Sequence, residues 1–398
     1  MKLLRRISTR QLLVLCTVVV AAVAGATVIA IAATGGGPKP PPKKLPVAIH
    51  DALAANPVQG VSARIQFTND LIDGSSIQGS DPILTGASGR LWASANGHLR
   101  LELQSDAATG GVGDAQVLVD HRRVSVYDSS SNTVYRGTLP RPRGHESGKS
   151  EPGIPSVTRI GSWLGRLAKH AAVSRAIPSD VAGRPTYTVR VAPKHDGGLL
   201  GGAELAWDAV HGTPLRAAVY ASGSSTPVLE LKATDISFGP VSPSVFDVSA
   251  PPRAKVTNLS PPRRPAAGHD ATAVRGLAAA RSQAPFAVTA PRKLAGLPRD
   301  EVRLISSGHH AGVLVTYGRG LGGIAVIETK AGRRPGGGLA GDGEGPGLKL
   351  PQVSINGASG EELDTALGTL LRFQRGGVAY TVVGSVPPAA AEAAARGL

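Results

Sequence analysis

Several short stretches carry residue types that do chemistry in other proteins, and each has the wrong spacing here. Residues 144–150, GHESGKS, hold the glycines, lysine and serine of a phosphate-cradling loop. Only three residues separate the glycines where four are needed for the backbone N–H groups to converge, and a proline-rich polar stretch precedes them. The glycines of GRGLGG at 318–323 lack the dinucleotide spacing and read as a turn. His309 and His310 are neighbours that point to opposite sides of a strand, with no acidic or cysteine cluster nearby in sequence. Asn258-Leu259-Ser260 is a glycosylation triplet of a kind frequent by chance. No serine stands in a nucleophile elbow, and Cys16 is the single cysteine, which removes a disulfide within one chain. The sequence therefore offers no catalytic set, and the expectation is a non-enzyme with no cofactor and no metal.

What remains is apolar patterning. Leu99, Leu101 and Leu103 alternate with Arg100, Glu102 and Gln104, and Val117 and Val119 flank Leu118 on a second strand. Such strands make a sheet with one greasy face, which must cover a core helix or a bound apolar molecule. An acyl chain gains roughly 0.8 kcal/mol per methylene removed from water, so it can be held without a polar contact. The residues expected to face inward are Leu99, Leu101, Leu103, Val117, Val119, Val124, Val126, Val189, Val191, Leu229 and Leu231 from strands. Trp163, Leu164 and Leu167 are expected from a covering helix. Ordinary packing of half-buried strands uses the same residue types, so the pattern leaves both readings open. Arg90, Arg100, Arg122 and Arg123 either meet a phosphate or carboxylate at the mouth of a groove or form the solvated face of their strands.

The positioning elements follow from the same patterning. A short helix is expected over 46–55, then a strand carrying Val61, Ala63, Ile65 and Phe67, then a meander from Ala87 to Pro140. Ser156 is a candidate N-cap for a helix whose apolar residues Val157, Ile160, Trp163, Leu164, Leu167 and Ala171 recur at spacings of three and four. Strands are expected to resume at 185–191, 203–209, 215–221 and 228–238. Residues 251–284, rich in Pro, Ala and Arg, read as a linker. Beyond it, strands are expected at 286–288, 302–306, 311–317, 323–328, 348–355 and 378–386, with a helix near 361–373 and a closing proline-led helix.

The N-terminus is built differently. Residues 11–33 contain no charge, and as a helix they would span about 34 Å, enough to cross a bilayer core. Lys2, Arg5, Arg6 and Arg10 precede this run with no acid, which keeps the N-terminus cytoplasmic and places the bulk of the chain outside the cell membrane. A cleaved signal peptide is the alternative, since Ala30-Ile31-Ala32 supplies small residues for cleavage. The net charge is +15, of which seven charges fall in the first 45 residues. Only 4% of residues are aromatic, too few for stacking platforms, so nucleic acid is not an expected partner. The basic surplus fits anionic lipid head groups or wall polymers, although 51 glycines and 31 prolines also point to compositional bias.

GRLWASANGHLRLELQS, VLVDHRRVSVYDSSSNTVYRGTLP, and ELAWDAVHGTPLRAAVY with TDISFGPVSPSVFDVSAPPRAKV resemble the strands of the LolA-like lipoprotein carrier superfamily, over about residues 45–256. The segment after residue 284 resembles the small extra domain behind LolA-like domains in exported actinobacterial proteins, a layout similar to sigma-E regulators of the RseB or MucB type. The resemblance implies an α+β fold: an incomplete antiparallel β-barrel wrapped around helices, then a small C-terminal α+β domain, behind the N-terminal transmembrane helix. The expected divisions are 1–10 basic tail, 11–33 anchor or signal peptide, 34–45 Pro-rich linker, 46–256 half-barrel, 257–283 linker and 284–398 C-terminal domain. The implied partners are acyl chains of a lipid or lipoprotein and the cell membrane, or an anti-sigma factor or other membrane protein.

Overall fold

The computed structural model describes residues 37–72, 82–105, 114–129, 131–139, 154–195, 197–259, 275–307, 310–332 and 350–398. The basic tail, the apolar run, the GHESGKS loop, His309 and Ser260 lie outside the described residues. Among the described residues, no helix is long and apolar enough to cross a membrane.

Thirteen strands form the larger sheet. The meander β1 (Gly60–Asn69), β2 (Ala87–Ser94), β3 (His98–Ser105), β4 (Asp114–Asp120), β5 (Arg123–Asp128) and β6 (Thr133–Thr138) pairs in chain order. A second run, β7 (Ala171–Val173), β8 (Ile177–Val181), β9 (Arg184–Pro193), β10 (Leu200–Asp208), β11 (Pro214–Ala221) and β12 (Pro227–Phe238), follows after a helix. β12 then pairs with β11 on one side and antiparallel with β1 on the other, Phe67 opposite Leu231, so both runs join into one sheet. The strand β13 (Lys255–Asn258) returns to lie parallel to β6. The strand order is an open path that ends at β13 and at β7, and the sheet curls into the half-barrel that the family resemblance implied.

Helix α1 (Leu45–Ala54) buries Leu45 and Ala48, and Pro46 sits in its first turn, where a missing N–H costs nothing. α2 (Pro82–Thr85) is one turn long and packs on β1 and β3. α3 (Val157–Leu167) is capped as expected: Ser156 Oγ accepts from the Arg159 amide at 3.3 Å. Its packing corrects the sequence expectation. Ile160 is buried and Leu164, one turn on, packs on the cluster shared by α1 and the β9–β10 end of the sheet, whereas Trp163 and Leu167 stay 42% and 39% exposed. The helix has one partner stripe to fill, and its apolar residues span a wider arc than that stripe. The chain leaves the helix at Leu167, so Ala171 begins β7 instead of extending the helical pattern.

The smaller sheet is antiparallel throughout, in the order β14 (Lys293–Leu294), β15 (Leu297–Ser307), β16 (His310–Tyr317), β17 (Ile324–Lys330), β21 (Val378–Gly384), β20 (Gly368–Arg375), β19 (Ala358–Thr365) and β18 (Gln352–Ile355). Helices α4 (Leu277–Gln283) and α5 (Pro388–Arg396) pack Ala280, Ala391, Ala394 and Ala395 into its core. Three expectations change here. The helix foreseen near 361–373 is instead the hairpin β19–β20, residues 286–288 form no strand, and the stretch read as a linker contains β13 and α4. Asn356-Gly357 and Gly376-Gly377 take positive φ at both positions, as two-residue hairpin turns require, and these turns commit the flanking residues to strands.

Glu328 on β17 is 0% exposed. Its Oε2 accepts from the Thr289 amide at 2.8 Å, while Oε1 has no hydrogen-bond partner among the described residues. Burial pushes its carboxyl up to about 7 against an ordinary 4.5, with the Thr289 N–H and Arg281 pulling weakly the other way. The folded state thus keeps a proton that the unfolded chain gives up. The stability this group supplies is complete below about pH 4.5 and is lost as pH rises to about 7, a change of about 3 kcal/mol. Urea denaturation of Glu328→Gln at several pH values across this window should show that slope removed, and an unchanged slope would assign it to other groups.

Candidate functional site

Residues that pair directly across a ladder share a face, so the register locates the greasy side. One row runs Tyr135, Val126, Val117, Leu101, Leu91, Ala63 across β6 to β1. A second runs Ala87, Phe67, Leu231, Ala217, Leu205, Val189 from β2 through β12 to β9. One apolar face is therefore continuous across both halves of the sheet. It carries two clusters. At the β1–β6 end, Leu101, Leu103, Val117 and Val126 are buried among Ile65, Ala87, Ala115 and Tyr135, and Leu99, Val119, Val124 and Leu231 pack on them while staying partly accessible. At the β9–β10 end, Val189 is buried with Tyr187, Leu205 and Trp207, and Val191 and Leu164 pack on that group beneath α1.

The structure thus brings together most of the residues expected to line a groove, but around two centres. Leu229 is half-buried outside both clusters, opposite Asn69 and Val219. Trp163 and Leu167 belong to neither, because they project from the outer side of α3. The arginines considered for a head group are partly engaged already. Arg100 donates to the Val245 carbonyl at 2.7 Å, pairs with Glu102 and lies over the Trp92 ring, and Arg122 donates to the Leu139 carbonyl at 2.7 Å. Arg90 is exposed, and Arg123 reaches Asp120 at 3.6 Å.

The opposite face holds a constellation that apolar patterning did not flag. Arg216 on β11 donates Nε to Glu230 at 2.6 Å, Nη1 to Glu204 at 2.9 Å and Nη2 to the Tyr220 hydroxyl at 2.9 Å. Tyr220 in turn donates to Glu204 at 2.5 Å, Lys232 pairs with Glu230 at 3.1 Å, and Arg190 lies 3.6 Å from Glu204. Glu204, Glu230 and Tyr220 are all buried. Burial alone would pull the Arg216 guanidinium down, but its bonds to Tyr220 and Glu204 and the charge of Glu230 outweigh this and hold it firmly protonated. The same burial, reinforced by Glu204, raises the Tyr220 hydroxyl. A sequence signal existed: Glu204, Arg216 and Glu230 are charged residues on the polar alternation of three consecutive strands. Nearby, Asp208 accepts from the backbone of Val210 and His211 at 2.9 and 2.7 Å and from Arg184 at 3.2 Å, which offsets its desolvation and keeps its carboxyl low.

A cleft of about 640 Å³ opens on the smaller sheet, lined by Asp300, Glu301, Ile324, Leu363, Thr365 and Ser385 among others. It lies beside the junction of the two sheets, where the Leu199 amide donates to the Ser385 carbonyl at 3.1 Å and the Ala366 amide to the Leu71 carbonyl at 2.8 Å. The GRGLGG stretch forms a turn at its rim, as its spacing suggested.

No protein family matches the sequence, and no curated protein matches it. Among solved structures, the chain is similar to MucB in complex with MucA(peri), at 15% identity over 88% of this chain and 95% of that one, with a TM-score of 0.38. It is similar to the MucA/MucB complex of Pseudomonas aeruginosa at 15% identity over 88% and 95% of the chains, with a TM-score of 0.37. The LolA superfamily protein NE2245 of Nitrosomonas europaea is similar at 10% identity over 52% of this chain and 98% of its own, with a TM-score of 0.22.

Removing one member of a buried ion network strands the others, at a typical cost of about 3–5 kcal/mol. Arg216→Met should therefore lower the urea midpoint sharply, with partial recovery when Glu204→Gln and Glu230→Gln are added. A midpoint equal to that of the parent would show that the network contributes nothing to stability.

Proposed function

We propose that this protein is a non-catalytic binding protein that holds acyl chains of a lipid or lipoprotein against the apolar face of its half-barrel, tethered to the outer side of the cell membrane through residues 11–33. The observation that carries this reading is the partly accessible set of Phe67, Leu91, Leu99, Val119 and Val124 on β1–β5, with Leu231 beside them on β12, all packed on one cluster of that face. Side chains of this kind offer a flexible hydrocarbon tail area without orientation, which is what an acyl chain needs. A tethered holder transfers cargo only within the reach of its Pro-rich spacer, so presentation or sensing of lipid fits better than free shuttling.

A second reading, a regulator that grips an anti-sigma factor or other membrane partner, is favoured by the cleft beside the sheet junction. Its mixed lining of Asp300, Glu301, Thr365 and Ser385 with Ile324 and Leu363 suits an extended peptide better than a hydrocarbon chain.

Chain starting at Thr34, purified without detergent and extracted with organic solvent, is expected to release lipid in mass spectra and to take up a fluorescent fatty acid. Leu99→Gln should weaken that uptake about tenfold, since it replaces accessible hydrocarbon by an amide. Recovery of no lipid together with no uptake would overturn the acyl-binding reading.

A further inference from the structure

We propose that His98, Asp120 and His121 form a site for a borderline divalent transition metal, with Zn²⁺ as its natural probe. The pairing of β3 with β4 sets His98 directly opposite Asp120, and His121 follows in the β4–β5 turn with φ +54°. That left-handed turn residue folds its ring back beside Asp120 instead of out along the strand. The Asp120 Oδ1 then lies 2.7 Å from His121 Nδ1 and 3.4 Å from His98 Nδ1. The two imidazoles meet edge to face with centroids 4.9 Å apart, and one ligand atom from each of the three residues lies within 4.8 Å of the others.

These separations suit a tetrahedral ion. With metal–ligand bonds of about 2.0–2.1 Å, neighbouring ligand atoms stand about 3.3 Å apart, so small rotations of the side chains would admit the metal. Two imidazoles and one carboxylate are the donors that Zn²⁺ and its neighbours prefer, while Mg²⁺ and Ca²⁺ prefer oxygen alone. The three residues would leave one position for water. Their surroundings are already organised: the Phe246 ring lies 5.5 Å from that of His98, and Arg100 holds the adjacent Val245 carbonyl, so the loop after β12 braces the ligand. Arg123 pairs with the other Asp120 oxygen at 3.6 Å, leaving Oδ1 for the ion, and it is exposed enough to swing aside.

The site joins the β2–β3 turn to the β4–β5 turn at one end of the half-barrel. Bound metal would link them in a chain whose single cysteine permits no disulfide.

The full-length chain, without affinity tag and after chelation, is titrated with Zn²⁺ by calorimetry and followed by thermal unfolding. The parent is expected to take up one equivalent and to unfold at a higher temperature with it. His98→Ala, Asp120→Ala and His121→Ala should each weaken uptake at least about tenfold, with His170→Ala as an unaffected control. Because His121 is largely exposed, its variant keeps the test valid if Asp120→Ala does not fold. Absence of uptake by the parent, uptake undiminished in His121→Ala, or displacement by Mg²⁺ would each overturn the assignment.

Discussion

The pairing of β1 with β12 is the constraint on which the larger sheet depends. Nine aligned residue pairs, from Val61 with Phe238 to Asn69 with Leu229, join segments that are more than 150 residues apart in the chain. Without that ladder the meander β1–β6 and the run β9–β12 would each expose an edge and half an apolar face. With it, the row from Ala87 to Val189 becomes unbroken. The register slips once, between Arg64 and Ile65, where one extra residue of β12 is accommodated, and such a bulge sharpens the local curl. Curling is what turns a flat greasy sheet into a concave one.

The two faces of this sheet divide the labour. One gathers leucine, valine and aromatic rings, while the other carries Arg216 and its carboxylate partners across β10, β11 and β12. Each buried charge of that network faces a partner of opposite sign, which is the condition for charges to survive out of water. The network also fixes register. A slip of one residue along β11 would carry Arg216 to the apolar face and leave Glu204 and Glu230 unmatched. The polar face thus helps to keep the apolar face in order.

Much of this was legible in the residues. Alternation located β1 through β6 and β9 through β12, and Ser156 marked the start of α3. The errors have physical causes. Leu363, Leu367 and Leu370 mimic a helical stripe, yet Asn356-Gly357 and Gly376-Gly377 on either side bind the segment into hairpins, a turn signal that outweighs the spacing. Trp163 and Leu167 were read inward because periodicity reports that a helix has an apolar side without reporting how wide a stripe its neighbour can cover. The metal-ligand cluster was invisible for a different reason: His98 and Asp120 are far apart in sequence, and only strand register brings them together. Likewise the helix at 277–283, in the stretch read as a linker, was masked by a composition that suits small-residue packing, with Ala280 fully buried.

The sheet's two open borders have a consequence for the protein's life among its own copies. At one border the chain's return lays four residues, Lys255–Asn258, beside β6, and at the other β9 is flanked by the three residues of β7 and the five of β8. Stubs this short give a second molecule almost no backbone to add to, and Lys255 and Pro178 make that margin poorer still. A curled sheet of thirteen strands would otherwise be a template for polymerisation. These few residues screen both borders of the larger sheet from edge-to-edge pairing.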